Sequence, residues 1–198
     1  MKSHYPGLIH QDTPNLNKKL WKLKTPLKTK IFLWYLKRGV ILTKDNLVRR
    51  NWQGNQQCCF CHENETIQHL FFDCRMARLA WATVYAAWGI PKPRSFANMF
   101  GNWLNGLTKN LKQLVLVGAA ALCWSVWLCR NIVIFYNKKS SFLQVIYSTT
   151  HWLRMWAILQ QATSQDTLVA ASHLLAQVIK IFFAQAHGWR SSHRIGNH

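Results

Sequence analysis

Residues 58–74 read Cys58-Cys59-Phe60-Cys61-His62-Glu63-Asn64-Glu65-Thr66-Ile67-Gln68-His69-Leu70-Phe71-Phe72-Asp73-Cys74. Four of the six cysteines of the chain lie in this stretch; the others are Cys123 and Cys129. Pairing Cys58 with Cys61 gives the spacing C-x2-C-x7-H-x4-C, completed by His69 and Cys74. A C-x2-C turn brings two thiolates to one point. A histidine and a third cysteine nearby then supply the tetrahedron that structural zinc takes. The chain starts Met-Lys-Ser-His-Tyr-Pro-Gly, without the apolar run of a secretory signal. An intracellular, reducing compartment is expected, nuclear or cytoplasmic, where clustered thiols bind metal rather than cross-link. Cys58, Cys61, His69 and Cys74 are therefore the candidate zinc ligands. Cys59 or His62 could replace one of them, although the Cys59 side chain should point away from a site made by Cys58 and Cys61. Four reduced cysteines beside an ordinary histidine are the plain alternative.

The x4 gap constrains the backbone. On a continuous α-helix, residues five apart lie about 140° apart around the axis. One tetrahedral site therefore requires the helix to end or kink between His69 and Cys74. Asp73, beside the kink, is a candidate acceptor for the imidazole N–H. Cys123 and Cys129 fall on an apolar segment and read as plain core thiols.

Outward from this cluster the chain reads as helical. Thr25-Pro26 predicts a helix start with proline at the first helical position, continuing to Lys37 and stopped by Gly39. Thr43 caps a second helix that runs to Arg50, with Asp45 favouring its dipole. Trp81, Val84, Tyr85 and Trp88 recur at i, i+3, i+4 and i+7 as a one-sided apolar stripe, stopped by Gly89 and Pro91. A connector over 89–107 carries an aromatic patch at Phe96, Phe100 and Trp103. Three longer helices follow. The first, Lys109–Tyr136, is apolar nearly all round and hence buried. The second starts after Ser140, with Phe142, Val145, Ile146, Thr149, Trp152, Leu153, Trp156 and Leu159 on its apolar face. The third runs from Ser164 to Ala186, with Leu168, Leu175, Val178, Ile179 and Phe182 on one side. No strand and no internal repeat is expected. The fold class is all-α: a small zinc-knuckle domain over 18–88 and a helical C-terminal region over 108–186, between loose ends at 1–17 and 187–198.

Composition adds the partner. The 198 residues carry 25 Lys and Arg against 6 Asp and Glu, a formal charge of +19, with 49% apolar residues and 11 tryptophans. Such a chain can build a core and is not a disordered basic tail. Its few, scattered carboxylates are poor material for polymerase or nuclease metal chemistry, so no enzyme is expected. The charge points to polyanions, nucleic acid first. Eleven basic residues lie between Lys18 and Arg50, opposed only by Asp45 and interleaved with Trp21, Phe32, Trp34 and Tyr35. Basic groups beside flat rings suit phosphate contact with base stacking. The candidate contacts are Lys22, Lys24, Lys28, Lys30, Lys37, Arg38, Arg49 and Arg50. A lysine coat over an aromatic core is the bland alternative. Leu114–Cys129 is free of charge but spans only about 24 Å as a helix, short of the roughly 30 Å hydrocarbon core. A buried helix is expected there rather than a membrane anchor over 114–136.

Several motifs in order resemble a known family. Trp-Lys-Leu-Lys-Thr-Pro-Leu-Lys-Thr-Lys-Ile-Phe-Leu-Trp (21–34), Leu-Thr-Lys-Asp-Asn-Leu (42–47), Cys58-x-x-Cys61, Glu65-Thr-Ile-Gln-His-Leu-Phe-Phe-Asp-Cys (65–74) and Trp81 are similar to the zinc-binding domain of plant non-LTR (LINE-type) retrotransposon reverse transcriptases. Residues 113–160, with Arg130-Asn131, Gln144-Val-Ile-Tyr and Thr150-His-Trp-Leu-Arg, resemble the region that often follows this domain in plant transposon-like proteins. The resemblance implies Cys58, Cys61, His69 and Cys74 as zinc ligands, and a module that helps a polymerase hold its template. The chain departs from such polyproteins in having no Tyr-x-Asp-Asp motif, no endonuclease acid cluster and no ribonuclease H carboxylate set. The reading is a non-catalytic zinc module, derived from a retroelement, that binds RNA or DNA with little sequence preference. A structural module whose helices pack on a protein partner is the alternative, with membrane association through 114–136 third.

Overall fold

The apolar helix expected at the centre of the chain is there. In the computed structural model, which describes residues 14–186, α6 (Lys109–Tyr136) is buried continuously from Leu114 to Val126. Before it come α1 (Pro14–Trp21), α2 (Leu27–Lys37), α3 (Lys44–Val48), a π-helical turn (His69–Asp73), α4 (Arg75–Trp88) and α5 (Phe96–Phe100). After it come α7 (Phe142–Ala157) and α8 (Ala162–Ala186). No strand forms among the described residues; one isolated antiparallel bridge joins Gln57 and Asn64. The fold is all-α.

The local chemistry accounts for most boundaries. The side chains of Ser95, Thr108 and Ser141 accept from backbone N–H groups in the first turns of α5, α6 and α7. Gly39 (φ 67°) follows α2, and Gly89 (φ 68°) closes α4 in the left-handed region that glycine tolerates. Other features differ from the sequence reading. Pro26 is itself the cap of α2, and the Thr25 hydroxyl is buried without a hydrogen-bond partner. Thr43 stands at the start of α3, but its hydroxyl donates to the Asp45 carboxylate (2.5 Å) instead of capping a backbone N–H. Helix α1 begins at Pro14, inside the stretch read as a lead-in, because Leu20 needs a buried seat (1% exposed). Tyr85 leaves the expected α4 stripe and is exposed, while Trp81 and Val84 are buried. Leu159 lies beyond the end of α7, exposed, and Phe182 is also exposed. Of the loose ends expected at 1–17 and 187–198, all but residues 14–17 of α1 lie outside the described residues.

One apolar core runs from Leu20 and Leu33 through Phe71, Trp81 and Leu122 to Leu153 and Ile179. Phe32 of α2 ties the two halves together, meeting Phe71 edge-on at 6.0 Å and Trp124 of α6 at 5.1 Å. Gly118, mid-helix in α6, has a packing reason: a Cβ there would sit 2.8 Å from the Trp88 ring. That close approach lets the Trp88 indole N–H cross to the Ala171 carbonyl of α8 (3.2 Å). Cys123 and Cys129 are buried core thiols.

Candidate metal centre and nucleic-acid interface

The π-helical turn answers the x4 gap. The Cys74 N–H donates to the His69 carbonyl at 2.6 Å, an i to i+5 bond in place of the α-helical i to i+4 bond. The wider turn brings residues five apart towards the same side. Cys74 then leaves the helical region (ψ 143°), and α4 starts afresh at Arg75. The turn is held from behind, since Leu70, Phe71 and Phe72 are buried at 0–1% exposure. The Trp81 indole donates to the Phe71 carbonyl at 2.9 Å, and its ring stacks on Phe72. The other two donors sit on a small hairpin. Cys58 N–H donates to the Glu63 carbonyl (2.7 Å), and Glu65 N–H to the Gln56 carbonyl (2.9 Å). Phe60 N–H points at the Cys58 sulfur (3.5 Å), the usual sign of a thiolate turn.

These two supports bring together the four groups that the sequence singles out. One ligand atom each from Cys58, Cys61, His69 and Cys74 lies within 4.8 Å of every other. The Cys58–Cys74 and Cys61–Cys74 sulfur pairs are both 3.8 Å apart, and the Cys61 sulfur is 3.1 Å from His69 Nε2. Zn–S bonds of about 2.3 Å in a tetrahedron put sulfurs about 3.8 Å apart, so the donors fit zinc. Neither Cys59 nor His62 belongs to the group. Crowding polarises the thiols. Hydrogen bonds from Cys59, then Cys74, hold the Cys58 thiol far below its ordinary range. The same Cys58 contact and burial push Cys74 far above it. A divalent cation would take the place of the remaining protons, which is how such sites bind metal.

Asp73 does not serve the imidazole. Its carboxylate accepts from Gln68 (2.9 Å) and from the Lys92 ammonium (3.2 Å). Partial burial works against its charge, but these two donors outweigh it and keep the carboxyl below its usual range. The Gln68 amide also reaches the Arg94 carbonyl, so Asp73 and its partners fasten the turn to the 89–95 connector.

Behind the hairpin lies a buried ion pair. Arg130 Nη2 is 2.8 Å from Glu65 Oε1, with side chains 3% and 0% exposed. Both residues appear in the motif segments of the sequence, but nothing in their spacing pairs them.

The eight candidate basic residues divide. Lys28 and Arg50 meet on one groove of about 530 Å³, with Tyr35, Trp124 and Trp127 among its walls. Lys28 Nζ stands 5.8 Å from the Trp124 ring centre, and the Arg130 guanidinium backs Trp127 at 4.9 Å. Lys22 joins a different cleft. Lys30 donates to the Trp21 carbonyl, Arg38 stacks on Trp34, and Arg49 pairs with Asp45 at 3.9 Å. Lys24 is exposed and Lys37 half-buried. The sequence reading missed the contribution of α6, because Trp124 and Trp127 look like core residues of a buried helix. Two helices, Lys109–Tyr136 and Ala162–Gln185, are long and apolar enough to cross a membrane; 72% of the first one's most apolar window is buried within the protein, against 22% for the second.

No curated protein and no solved structure matches the chain. Residues 1–81 match the family model described as zinc-binding in reverse transcriptase, and the match ends before the 113–160 segment. All four clustered donors fall inside the matched region, which is similar to the zinc-binding domain of reverse transcriptases, and the cluster could hold a zinc ion.

Proposed function

We propose that the protein is a non-catalytic zinc module, derived from a retrotransposon reverse transcriptase polyprotein, that binds nucleic acid with little sequence preference. The observation that carries the reading is the groove with Lys28 and Arg50 beside Tyr35, Trp124 and Trp127. Cationic groups next to accessible ring faces suit phosphates and stacked bases together. Tyr35 is 45% exposed and Trp127 half-exposed, so both rings are open to a base. Lysine at a phosphate reads charge and not base identity, so RNA and DNA of any sequence fit. The zinc site holds the 58–74 segment, which packs through Phe71 on Phe32 of α2, the helix that carries Lys28 and Tyr35. A nuclear or cytoplasmic location suits the reduced thiols and the polyanionic partner. The test is fluorescence anisotropy with labelled single-stranded and duplex oligonucleotides across a salt series. Affinity should fall with a slope of about −0.7 per phosphate contact on single strands and about −0.9 on duplex. Tyr35→Ala with Lys28→Gln should weaken binding at least about 10-fold. A flat salt response, or wild-type affinity in this variant, overturns the reading.

A second reading rests on α8. Leu174 and Ile181, seven positions apart and 43% and 54% exposed, put apolar surface on one face of that helix. Such a face suits packing on a protein partner, with zinc serving stability alone. Retained zinc and fold without affinity for any oligonucleotide would favour it.

A further inference from the structure

Away from the aromatic groove, a second cleft of about 430 Å³ opens between α1, the α5 region and the start of α6. Lys18 and Lys19 reach it from α1, Lys22 from just past its end, and Lys109 and Lys112 from α6. Among the described residues, no carboxylate lines it. The described acids are engaged or placed elsewhere: Asp45 with Arg49, Glu65 with Arg130 and Asp73 with Lys92, while Glu63 is on the hairpin and Asp166 on α8. The floor is apolar, built from Leu23, Met99, Phe100 and Leu104. Lys19 is anchored, its ammonium donating to the Phe100 carbonyl at 3.1 Å. Five cations gathered with no counter-charge among the described residues repel one another, and an anion relieves that repulsion.

The register of α6 relates this cleft to the aromatic groove. Lys109 and Trp127 are eighteen positions apart, which at 3.6 residues per turn is five turns, so they share one side of the helix. Lys112 and Leu116 of the cleft, and Trp124 of the groove, lie within about 60° of that side. The two openings are thus set along one helix, about 27 Å from end to end. That reach lies within what single-strand binders cover with sites of roughly 4–16 nucleotides.

We propose that the lysine cleft is a second phosphate-binding site on the path of one single nucleic-acid strand that also occupies the aromatic groove. This rests on the nucleic-acid reading above and goes further, because it fixes a minimum strand length and a second contact. Bases stack at Tyr35 and Trp127, and the backbone continues to the lysines over the exposed Lys24, Pro26 and Leu27, which lie between Lys28 of the groove and Lys22 of the cleft, because α6 itself is covered from Leu114 to Val126.

The test compares oligodeoxythymidines of about 4 and about 12 nucleotides on the full chain, wild type and Lys22→Gln/Lys109→Gln/Lys112→Gln. All three positions are exposed or half-exposed, and Lys19 is left in place, so the fold is kept. The wild type should bind the longer strand at least about 10-fold more tightly, beyond the gain from extra registers, and the triple variant should lose that gain. Short-strand affinity should be unchanged. The salt slope on the longer strand should fall by about 2, three contacts at about 0.7 each. Equal loss on both strands, or no loss on either, overturns the second site and leaves the aromatic groove standing. Loss of binding to anionic phospholipid vesicles, with oligonucleotide binding intact, assigns the lysines to a membrane surface and overturns it too. No binding of any strand by the wild type overturns both proposals.

Discussion

Arg130 and Glu65, sixty-five positions apart, are joined side-on: Arg130 Nη2 lies 2.8 Å from Oε1 and Nε 3.4 Å from Oε2. The pair carries further bonds. The same Nη2 donates to the Leu42 carbonyl at 3.1 Å, and Glu65 Oε1 accepts from the Lys44 N–H at 3.0 Å. One buried ion pair thus links α6 to the base of the metal hairpin and to the approach to α3. Removing one partner strands a charge in the interior, which costs about 3–5 kcal/mol. Arg130→Met should lower the unfolding free energy by that amount in urea titration. Glu65→Gln with Arg130→Met should be the more stable of the two variants, because no charge is left buried and the amide oxygen can still accept from Lys44. Equal stability of the two would mean that the charge itself contributes little.

The four donors give a second prediction. Cys61→Ser or His69→Ala should abolish stoichiometric zinc in the purified protein, measured by plasma emission spectrometry, and lower the helical signal in circular dichroism. Cys59→Ser and His62→Ala should retain one zinc per chain, since neither group belongs to the cluster. Acidification should release the ion as protons reclaim the sulfurs and the imidazole. Retained zinc in the Cys61→Ser/His69→Ala double variant would dismiss the site.

How much of this could be read in advance depends on the range of the interaction. The gathering of Cys58, Cys61, His69 and Cys74 was legible because their spacing is local and the residue types are few. The need for a break before Cys74 also followed from helix geometry, although not its form as a π-helical turn. The burial of the middle of α6 was plain because the charge-free run Leu114–Cys129 suits the core, whereas Ile134, Phe135 and Tyr136, also read as buried, are exposed at the end of the helix. What stayed hidden is set by distant packing. Glu65–Arg130 and the meeting of Lys22 with Lys109 depend on which side of α6 faces the first half of the chain. Asp73 was misjudged because Lys92, nineteen residues on, competes for it. Tyr85 shows the limit of periodicity, which marks a stripe but not how wide a neighbour will cover it.

Gly118 supports a third prediction. The Trp88 ring fills the space a Cβ would need, and it cannot swing away without losing its bond to Ala171. Overpacking of this kind costs about 1–3 kcal/mol, more than alanine gains over glycine in a helix. Gly118→Ala should therefore lower Tm by several degrees, and Gly118→Ala with Trp88→Leu should recover part of the loss. A rise in Tm for the single variant would show that the two helices have room to separate.

The last prediction concerns pH. Complete burial pushes the Cys123 thiol up to about 12. In the unfolded chain a thiol loses its proton near 8.5. Above that pH the unfolded state sheds a proton that the folded state keeps, so fewer protons are bound in the unfolded form and stability must fall as pH rises. The stabilisation is whole below about pH 8.5 and drains away up to about pH 12, with a slope of at most about 1.4 kcal/mol per pH unit. Lysines also titrate in this window, so the contribution must be read as a difference. Cys123→Ala leaves a small cavity that lowers stability by the same amount at every pH, which changes the intercept but not the slope. Urea unfolding between about pH 8 and pH 10 should thus show a shallower decline for Cys123→Ala than for the wild type. Parallel lines would mean that the thiol titrates in the folded protein as it does in the unfolded one, and that the seat of Cys123 against α6's neighbours is open to water.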